Sequence, residues 1–347
     1  MVNVSKAVAN LCSIMEILPE CFLFLVKYAG FVVLCMTSAL WAQGPASSKS
    51  YIARLERAKP GENVCVLVAD SGDYLLERWS EERLLVFGGV LADSNLQQFR
   101  AMLDSGEVDS FQALLCNAGG YFSGPLSYSK DGYETTFATN CLGHFLLIEL
   151  LTERMGDNGR IVFTASGTHD PDTADGKMVG IVAEPDAIAL ANDGKDARKS
   201  LSAGKRYSTS KLCTILYAYE LHRRLRRAGS SIASIAFDPG AVPQTGLLRT
   251  MPKPVQWLAK SRFMKWITKR VGVTQGSISF SGASLAKVAT DPAYRNASGK
   301  YFQSNNGALS DTRSSKLSYD EQRALKLWND SKTLVRLQAN EESVQLR

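Results

Sequence analysis

Histidine is scarce in this sequence, with three among 347 residues, at positions 144, 169 and 222. Their spacing is not that of a ligand set, so a structural zinc site is not expected. Cysteine gives no help towards a metal or redox centre either. The seven cysteines (12, 21, 35, 65, 116, 141 and 213) make no C-x-x-C pair and are odd in number. Most sit inside apolar runs, which fits buried thiols in a reducing compartment. There is no internal repeat and no low-complexity linker. Excess charge is small, 40 basic against 34 acidic residues for a net +6, and without a clustered patch it does not imply nucleic acid. What is present is ordinary globular composition, 45% hydrophobic and 21% charged, on a chain long enough to bury a full core.

Residues 1–29 form an extension with little punctuation. The stretch Phe22–Ala42 is long and apolar enough to span a bilayer, interrupted only by Lys27. A cleaved secretory signal fits poorly, because Glu16 and Glu20 precede the apolar run. The competing reading makes Gly30–Met36 a short β-branched strand that opens a domain over 30–340. The two readings exclude each other. They leave two locations open, a reducing cytoplasm or a membrane held through residues 22–42.

Downstream, strand-like and helix-like segments alternate. Val64–Ala69, Leu84–Phe87, Phe111–Cys116, Arg160–Thr164, Ser231–Phe237 and Gly299–Gln303 read as strands. Asn95–Leu103, Gly132–Met155, Tyr207–Arg227 and Tyr319–Leu337 read as helices. Nearly continuous apolar strands between helices predict an α/β fold, a doubly wound and mostly parallel sheet covered on both faces. Two segments break the rhythm. Gly167–Gly204 is polar and aperiodic, and long for a loop. Pro252–Val271 interleaves Lys253, Lys260, Arg262, Lys265, Lys269 and Arg270 with aromatic residues. That mixture suits a lid over an apolar ligand, a membrane-surface helix, or a solvated helix with one buried face.

The chemistry-bearing residues fall at strand ends, where doubly wound sheets bind ligands. Asn117-Ala118-Gly119, Ser166 and Pro239-Gly240 are small or polar residues that let a cofactor approach the backbone. Asn140 is an amide in an apolar stretch and must find partners there. Tyr207 and Lys211 lie four apart at the start of a helical pattern, which puts them on one face. A lysine charge beside a phenol favours phenolate, so proton exchange below the ordinary pKa near ~10 is expected. Each feature alone has a bland reading: a chance helix pair, a turn serine, a satisfied core amide.

Taken together and in order, Asn117-Ala118-Gly119, Asn140, Ser166, Tyr207-x-x-x-Lys211 and Pro239-Gly240 resemble the short-chain dehydrogenases/reductases. The finer pattern is similar to light-dependent protochlorophyllide reductases and to related ketoreductases and retinol dehydrogenases. It rests on Tyr207-Ser-Thr-Ser-Lys-Leu-Cys213, Thr245–Arg249, the basic segment and the ending Ser298–Trp328. The resemblance implies a Rossmann-type fold and a nicotinamide cofactor. It implies Tyr207 as general acid/base, Lys211 as its electrostatic partner and ribose ligand, Ser166 on the substrate oxygen, and Asn140 steadying a relay. Val242, after Pro239-Gly240, joins the implied cofactor contacts. The polar insert and the basic segment suggest a bulky, apolar small-molecule substrate.

The sequence departs from the family at the nucleotide loop. The family's Thr-Gly-x-x-x-Gly-x-Gly is matched by Thr37 to Gly44, with Ser38 and Ala42 in place of two glycines. Such replacements bring a Cβ where the backbone approaches a pyrophosphate. Asp70, ending the second strand, favours a ribose 2′-hydroxyl and hence NAD, whereas the resemblance leans towards NADP. Val90-Leu91 stands where relatives place an adenine-holding Asp-Leu. Ala241 stands where protochlorophyllide reductases carry cysteine, which argues against the light-driven reaction. The expectation is therefore an NAD(P)-dependent oxidoreductase acting on a carbonyl or alcohol. The rivals are a cofactor-poor relative serving as a binding or scaffold protein, and protochlorophyllide-like double-bond reduction.

Overall fold

Phe111–Cys116 (β2) and Met155–Thr164 (β3) carry central runs with no exposed side chain. Ala113, Leu114, Leu115 and Cys116 are all fully buried, as are Ile161, Val162 and Phe163. Successive side chains of a strand point to opposite faces, so both faces of this sheet are covered. The computed structural model describes residues 31–35, 105, 111–117, 119–129, 131–195, 199–242, 253–339 and 342–347. Among them the sheet runs in the order β1 (Phe31–Cys35), β2, β3, β4 (Ala233–Asp238), β5 (Tyr301–Asn305), β6 (Ala308–Thr312). The first five strands are parallel, and β6 returns antiparallel along β5.

The strand at Phe31–Cys35 decides between the two N-terminal readings. Val33 pairs with Leu114 and Cys35 with Cys116, so this backbone is committed to the sheet. A single-pass helix over 22–42 would need the same residues, and that reading is corrected. No helix among the described residues is long and apolar enough to cross a membrane. The expected strands at 64–69 and 84–87, the helix at 95–103 and the extension 1–29 lie outside the described residues.

One face of the sheet meets α1, which runs Thr135–Phe137, widens to a π turn over Ala138–Leu142 and continues as Gly143–Leu151. Beside α1 lies the long helix α4 (Ala203–Arg227), backed by α8 (Glu321–Leu334). Leu114, Cys116, Ile161 and Phe163 pack here with Phe145, Leu216, Tyr217 and Trp328 in one continuous core. Each such fully buried side chain contributes roughly 1.5–3 kcal/mol. The alternate strand residues Leu115 and Val162 are buried too but stand outside that core. Helix α7 (Ile278–Thr290) packs on β2, β3 and β5 and brings buried Leu285 and Val288.

Helix α4 starts where Ser202 accepts from the Lys205 amide, and ends with Arg224, Arg226 and Arg227 in its last turn. Those charges suit the negative end of the helix. Its burial along most of its length follows from being sandwiched between the sheet, α1 and α8.

Three expectations change. The helix expected over Gly132–Met155 begins only at Thr135, because Glu134 accepts from the Thr136 and Phe137 amides and caps it. It ends before Met155, which pairs with Phe111 as part of β3. The residues 156–159 then loop out before Arg160 rejoins opposite Ala113, with Asn158 at φ 59°. The polar segment 167–204 contains a 3-10 turn (Gly167–His169) and two short helices, α2 (Ala174–Val179) and α3 (Ala187–Ala191). Each is too short to show a 3.6-residue period. The basic segment forms two helices, α5 (Lys253–Lys260) and α6 (Arg262–Arg270).

Candidate active site

The parallel strands β2, β3 and β4 end side by side, and the predicted site residues extend from those ends. Thr164, the last residue of β3, donates its hydroxyl to Asn117 Oδ1 at 2.7 Å, locking the ends of β2 and β3 together. The Thr164 carbonyl accepts from Lys211 Nζ at 2.8 Å, which draws the lysine from α4 across to the sheet. Asn140, in the π turn of α1, is clamped on both functions. Its Oδ1 accepts from the Gly120 amide at 2.9 Å, and its Nδ2 donates to the Gly120 carbonyl at 3.2 Å and to Ser210 Oγ at 2.9 Å. Ser210 in turn donates to the Tyr207 carbonyl at 2.7 Å. The asparagine thus joins the loop after β2 to the first turns of α4.

Gly119 explains how these groups come so close. A Cβ there would lie 3.1 Å from Lys211 Nζ and 3.3 Å from Asn140 Oδ1. A side chain there would push the ammonium or the amide aside by a few tenths of an ångström. Gly240 is required for a different reason. It sits at φ +71°, and a Cβ on it would meet the Ser304 carbonyl at 2.6 Å.

Tyr207 is buried beneath Tyr121, the rings meeting edge to face at 5.5 Å, with Lys211 Nζ 5.8 Å from the Tyr207 centroid. The sequence predicted a phenol made more acidic by its lysine. In the structure, burial raises the Tyr207 pKa above its ordinary value; the hydrogen bond with Ser166 opposes the rise and the Asp238 charge adds to it. Desolvating the phenolate outweighs that hydrogen bond. Lys211 is itself pushed down to about 8, chiefly by burial, although the nearby Cys141 and Asp238 pull it back up. Around neutral pH the phenol therefore holds its proton and the lysine its charge. That pair is set to give a proton away.

Four contributors were not singled out in the sequence. Asp238, ending β4, is buried and accepts from the Gly240 amide (2.9 Å), Tyr301 Oη (3.0 Å) and Gln303 Nε2 (2.9 Å). Desolvation raises its pKa against those hydrogen bonds and the charge of Lys211. His169 has no site role in the sequence reading. Its Nε2 accepts from the Ser315 amide at 2.9 Å, which leaves Nδ1 as the donor to the Ser166 carbonyl at 2.7 Å. Burial lowers its pKa, so it stays a neutral strut behind Ser166. Ser210 and Tyr121 complete the set. Only an Asp before Pro-Gly, and a Ser within the Tyr-x-x-x-Lys motif, offered any signal.

Thr37, Ser38, Ala42, Gly44, Asp70 and Ala118 lie outside the described residues. Tyr207, Lys211, Ser166, Asn140, Asn117 and Gly119 are brought together, and Pro239, Gly240 and buried Val242 follow the same sheet edge at β4. This donor set fits the nicotinamide end of a dinucleotide: an ammonium with protons beyond the one given to Thr164, a neutral phenol and a hydroxyl, at the carboxyl ends of parallel strands. Among the described residues no cluster of metal-ligating side chains occurs.

No family model matches the chain. Among curated proteins it is 32% identical over 229 residues to short-chain dehydrogenase TIC 32 A, chloroplastic, of Brassica napus, covering 64% of this chain and 63% of that protein. It is 31% identical over 253 residues to protochlorophyllide reductase A, chloroplastic, of Oryza sativa subsp. japonica, covering 66% of this chain and 63% of the relative. Polyprenol dehydrogenase of Danio rerio is 32% identical over 230 residues, covering 65% and 62%. The chain thus spans less than two thirds of the length of these relatives. A crystal structure of an uncharacterised protein from Mycobacterium Paratuberculosis superposes with a TM-score of 0.56 at 20% identity, covering 90% of this chain and 96% of that one. That likeness shows the fold.

Proposed function

We propose that this chain, which is related by sequence to the short-chain dehydrogenases/reductases, is a nicotinamide-dependent oxidoreductase acting on a carbonyl or its alcohol in a bulky apolar substrate. The observation that carries the reading is the convergence of Tyr207, Ser166, Lys211 and Asn140 at the ends of β2, β3 and β4. When bound, the nicotinamide supplies or accepts the hydride.

The chain's own part is to hold the substrate oxygen and move its proton. The Ser166 hydroxyl donates to that oxygen and fixes its place beside Tyr207. The phenol of Tyr207 then gives its proton to the oxygen as negative charge develops there, and takes one back in the reverse direction. Lys211, charged below about pH 8, stabilises the phenolate left behind. Asn140 and Thr164 keep the lysine and the first turns of α4 in register. Tyr121, set edge-on to Tyr207, supplies apolar surface at the reacting end.

The substrate class draws on the relatives' names. One is named for protochlorophyllide and another for an isoprenoid alcohol. Ala241, in place of cysteine after Pro239-Gly240, speaks for dark carbonyl chemistry over the light-driven reaction. Ser38 and Ala42 favour one rival, a scaffold that has lost its nucleotide. The discriminating experiment screens hydrophobic ketones with NADPH and NADH in the wild-type protein and in Tyr207→Phe. Turnover lost in the variant with nucleotide binding kept supports the reading. Turnover unchanged by the variant overturns it.

A further inference from the structure

Among the described α-helices, α5 and α6 stand apart from the rest: neither contains a buried residue. The exposed side chains are large and apolar. Trp257 is 75% exposed, Phe263 63% and Trp266 56%, and Val255 and Leu258 are exposed with them. On α5 the side turned inward carries Gln256 and Ala259. A lid closing over an apolar ligand would have the opposite orientation, with aromatic residues inward and polar ones out.

The charges are as one-sided as the exposure. The run 253–271 contains basic residues throughout and no aspartate or glutamate. On α6, Phe263 and Trp266 stack at 6.4 Å, and the Arg270 guanidinium lies 5.2 Å from the Trp266 ring. Met264, Ile267 and Thr268 are half-buried, and Thr268 Oγ1 accepts from Gln275 Nε2 at 3.2 Å, tying α6 to the loop that pairs with Ala241. The surface is thus anchored on one side and free on the other.

We propose that α5 and α6 together form a docking surface for an anionic phospholipid bilayer. Tryptophan and phenylalanine settle at the depth of the headgroups and upper acyl chains. Lysine and arginine reach back to the lipid phosphates, their attraction screened by salt. An acidic protein partner would satisfy the cations but would leave the three aromatic side chains without an apolar medium. This surface stands independently of the catalytic reading. It also differs from the rejected span at 22–42, since it lies on the membrane without crossing it.

The test is co-sedimentation of the full chain with vesicles of phosphatidylcholine alone and with about one third phosphatidylglycerol, at low and high salt. The expected result is binding at least ~10-fold stronger to the anionic vesicles, weakened by high salt, with a blue shift of tryptophan fluorescence. A triple variant, Trp257→Ser, Phe263→Ser and Trp266→Ser, should lose most of that binding while melting at the wild-type temperature, because no buried side chain is touched. Lys260→Glu with Lys265→Glu should erase the preference for anionic lipid. No binding to anionic vesicles overturns the proposal, and so does binding that the triple serine variant leaves intact. A concentration-dependent dimer that the serine variant dissolves, without vesicle binding, would assign the surface to a second copy of the chain instead.

Discussion

The strand-end cluster around Tyr207 and the helix pair α5–α6 break the same rule in opposite directions. The first buries a lysine, an aspartate, an asparagine and a histidine, and holds them by hydrogen bonds of 2.7–3.2 Å. The second leaves two tryptophans and a phenylalanine more than half exposed among the described residues. Most buried polar groups find partners, and clustered exposed aromatics are unusual unless something else supplies a surface. Departures of this kind concentrate where a protein does something besides fold. On the proposed readings, the first would select a small molecule and the second an environment.

The largest effect is expected from removing the phenol. Tyr207→Phe should lower turnover by about 10²–10⁴-fold, the range of a lost general acid, without moving the melting temperature or lipid binding. A loss of vesicle binding as well would merge the two regions and break the comparison.

Next comes the lysine, whose charge can be switched by pH alone. With Lys211 near 8, turnover should fall as pH rises through that value and the ammonium is discharged. Stability should move the other way. The folded protein holds this proton less tightly than the unfolded chain, whose lysine keeps its ordinary value of 10.5, so the penalty of the buried charge is relieved between about 8 and 10.5. A pH–rate profile set beside a pH series of melts checks both signs.

A smaller effect is expected at the contact that makes the cluster tight. Gly119→Ala places a methyl 3.1 Å from Lys211 Nζ, which must give way. Turnover should drop about tenfold, as a displacement of a few tenths of an ångström loosens the relay. Lys211→Met in the same background should show sub-additive loss, since both changes act on one interaction.

The smallest effect sharpens the contrast by using a buried polar group that does no chemistry. Glu149 lies on α1 with Oε1 accepting from Trp328 Nε1 at 3.1 Å, and its pKa is raised to about 7, mainly by burial and against the charge of Lys332. Its carboxylate therefore weakens the fold, by an amount that grows from pH near 4.5 to about 7 and is full above that. Glu149→Gln should raise the melting temperature by about 2–4 °C at pH 8 and by little at pH 5, with turnover unchanged.

Much of the strand-end cluster was legible in the sequence because its chemistry is local. Tyr207 and Lys211 announce themselves by helical spacing, and Asn117 and Ser166 by following apolar strands. The parallel sheet was legible for the same reason, and Phe31–Cys35 takes the strand pairing that the nucleotide-loop register at Thr37–Gly44 requires. What stayed hidden depends on distant partners. His169 becomes a strut only when Ser315 arrives from the other end of the chain, and Asp238 becomes a buried charge only when Tyr301 and Gln303 close over it. The outcome for the Tyr207 pKa was misjudged because residue spacing reveals the lysine but not the desolvation. Helix α7 and strand β6 carry small and polar residues without a period, and only their neighbours order them.

For turnover, a nucleotide must reach Tyr207 and Lys211 although Ser38 and Ala42 stand where the family resemblance expects glycine. Calorimetric titration of the full chain with NADPH and with NADH tests this most directly. One site per chain with a sub-millimolar dissociation constant for at least one nucleotide, weakened in Lys211→Met, is the predicted result. Absence of binding by either nucleotide at millimolar concentration would contradict it and leave the cluster as the framework of a scaffold.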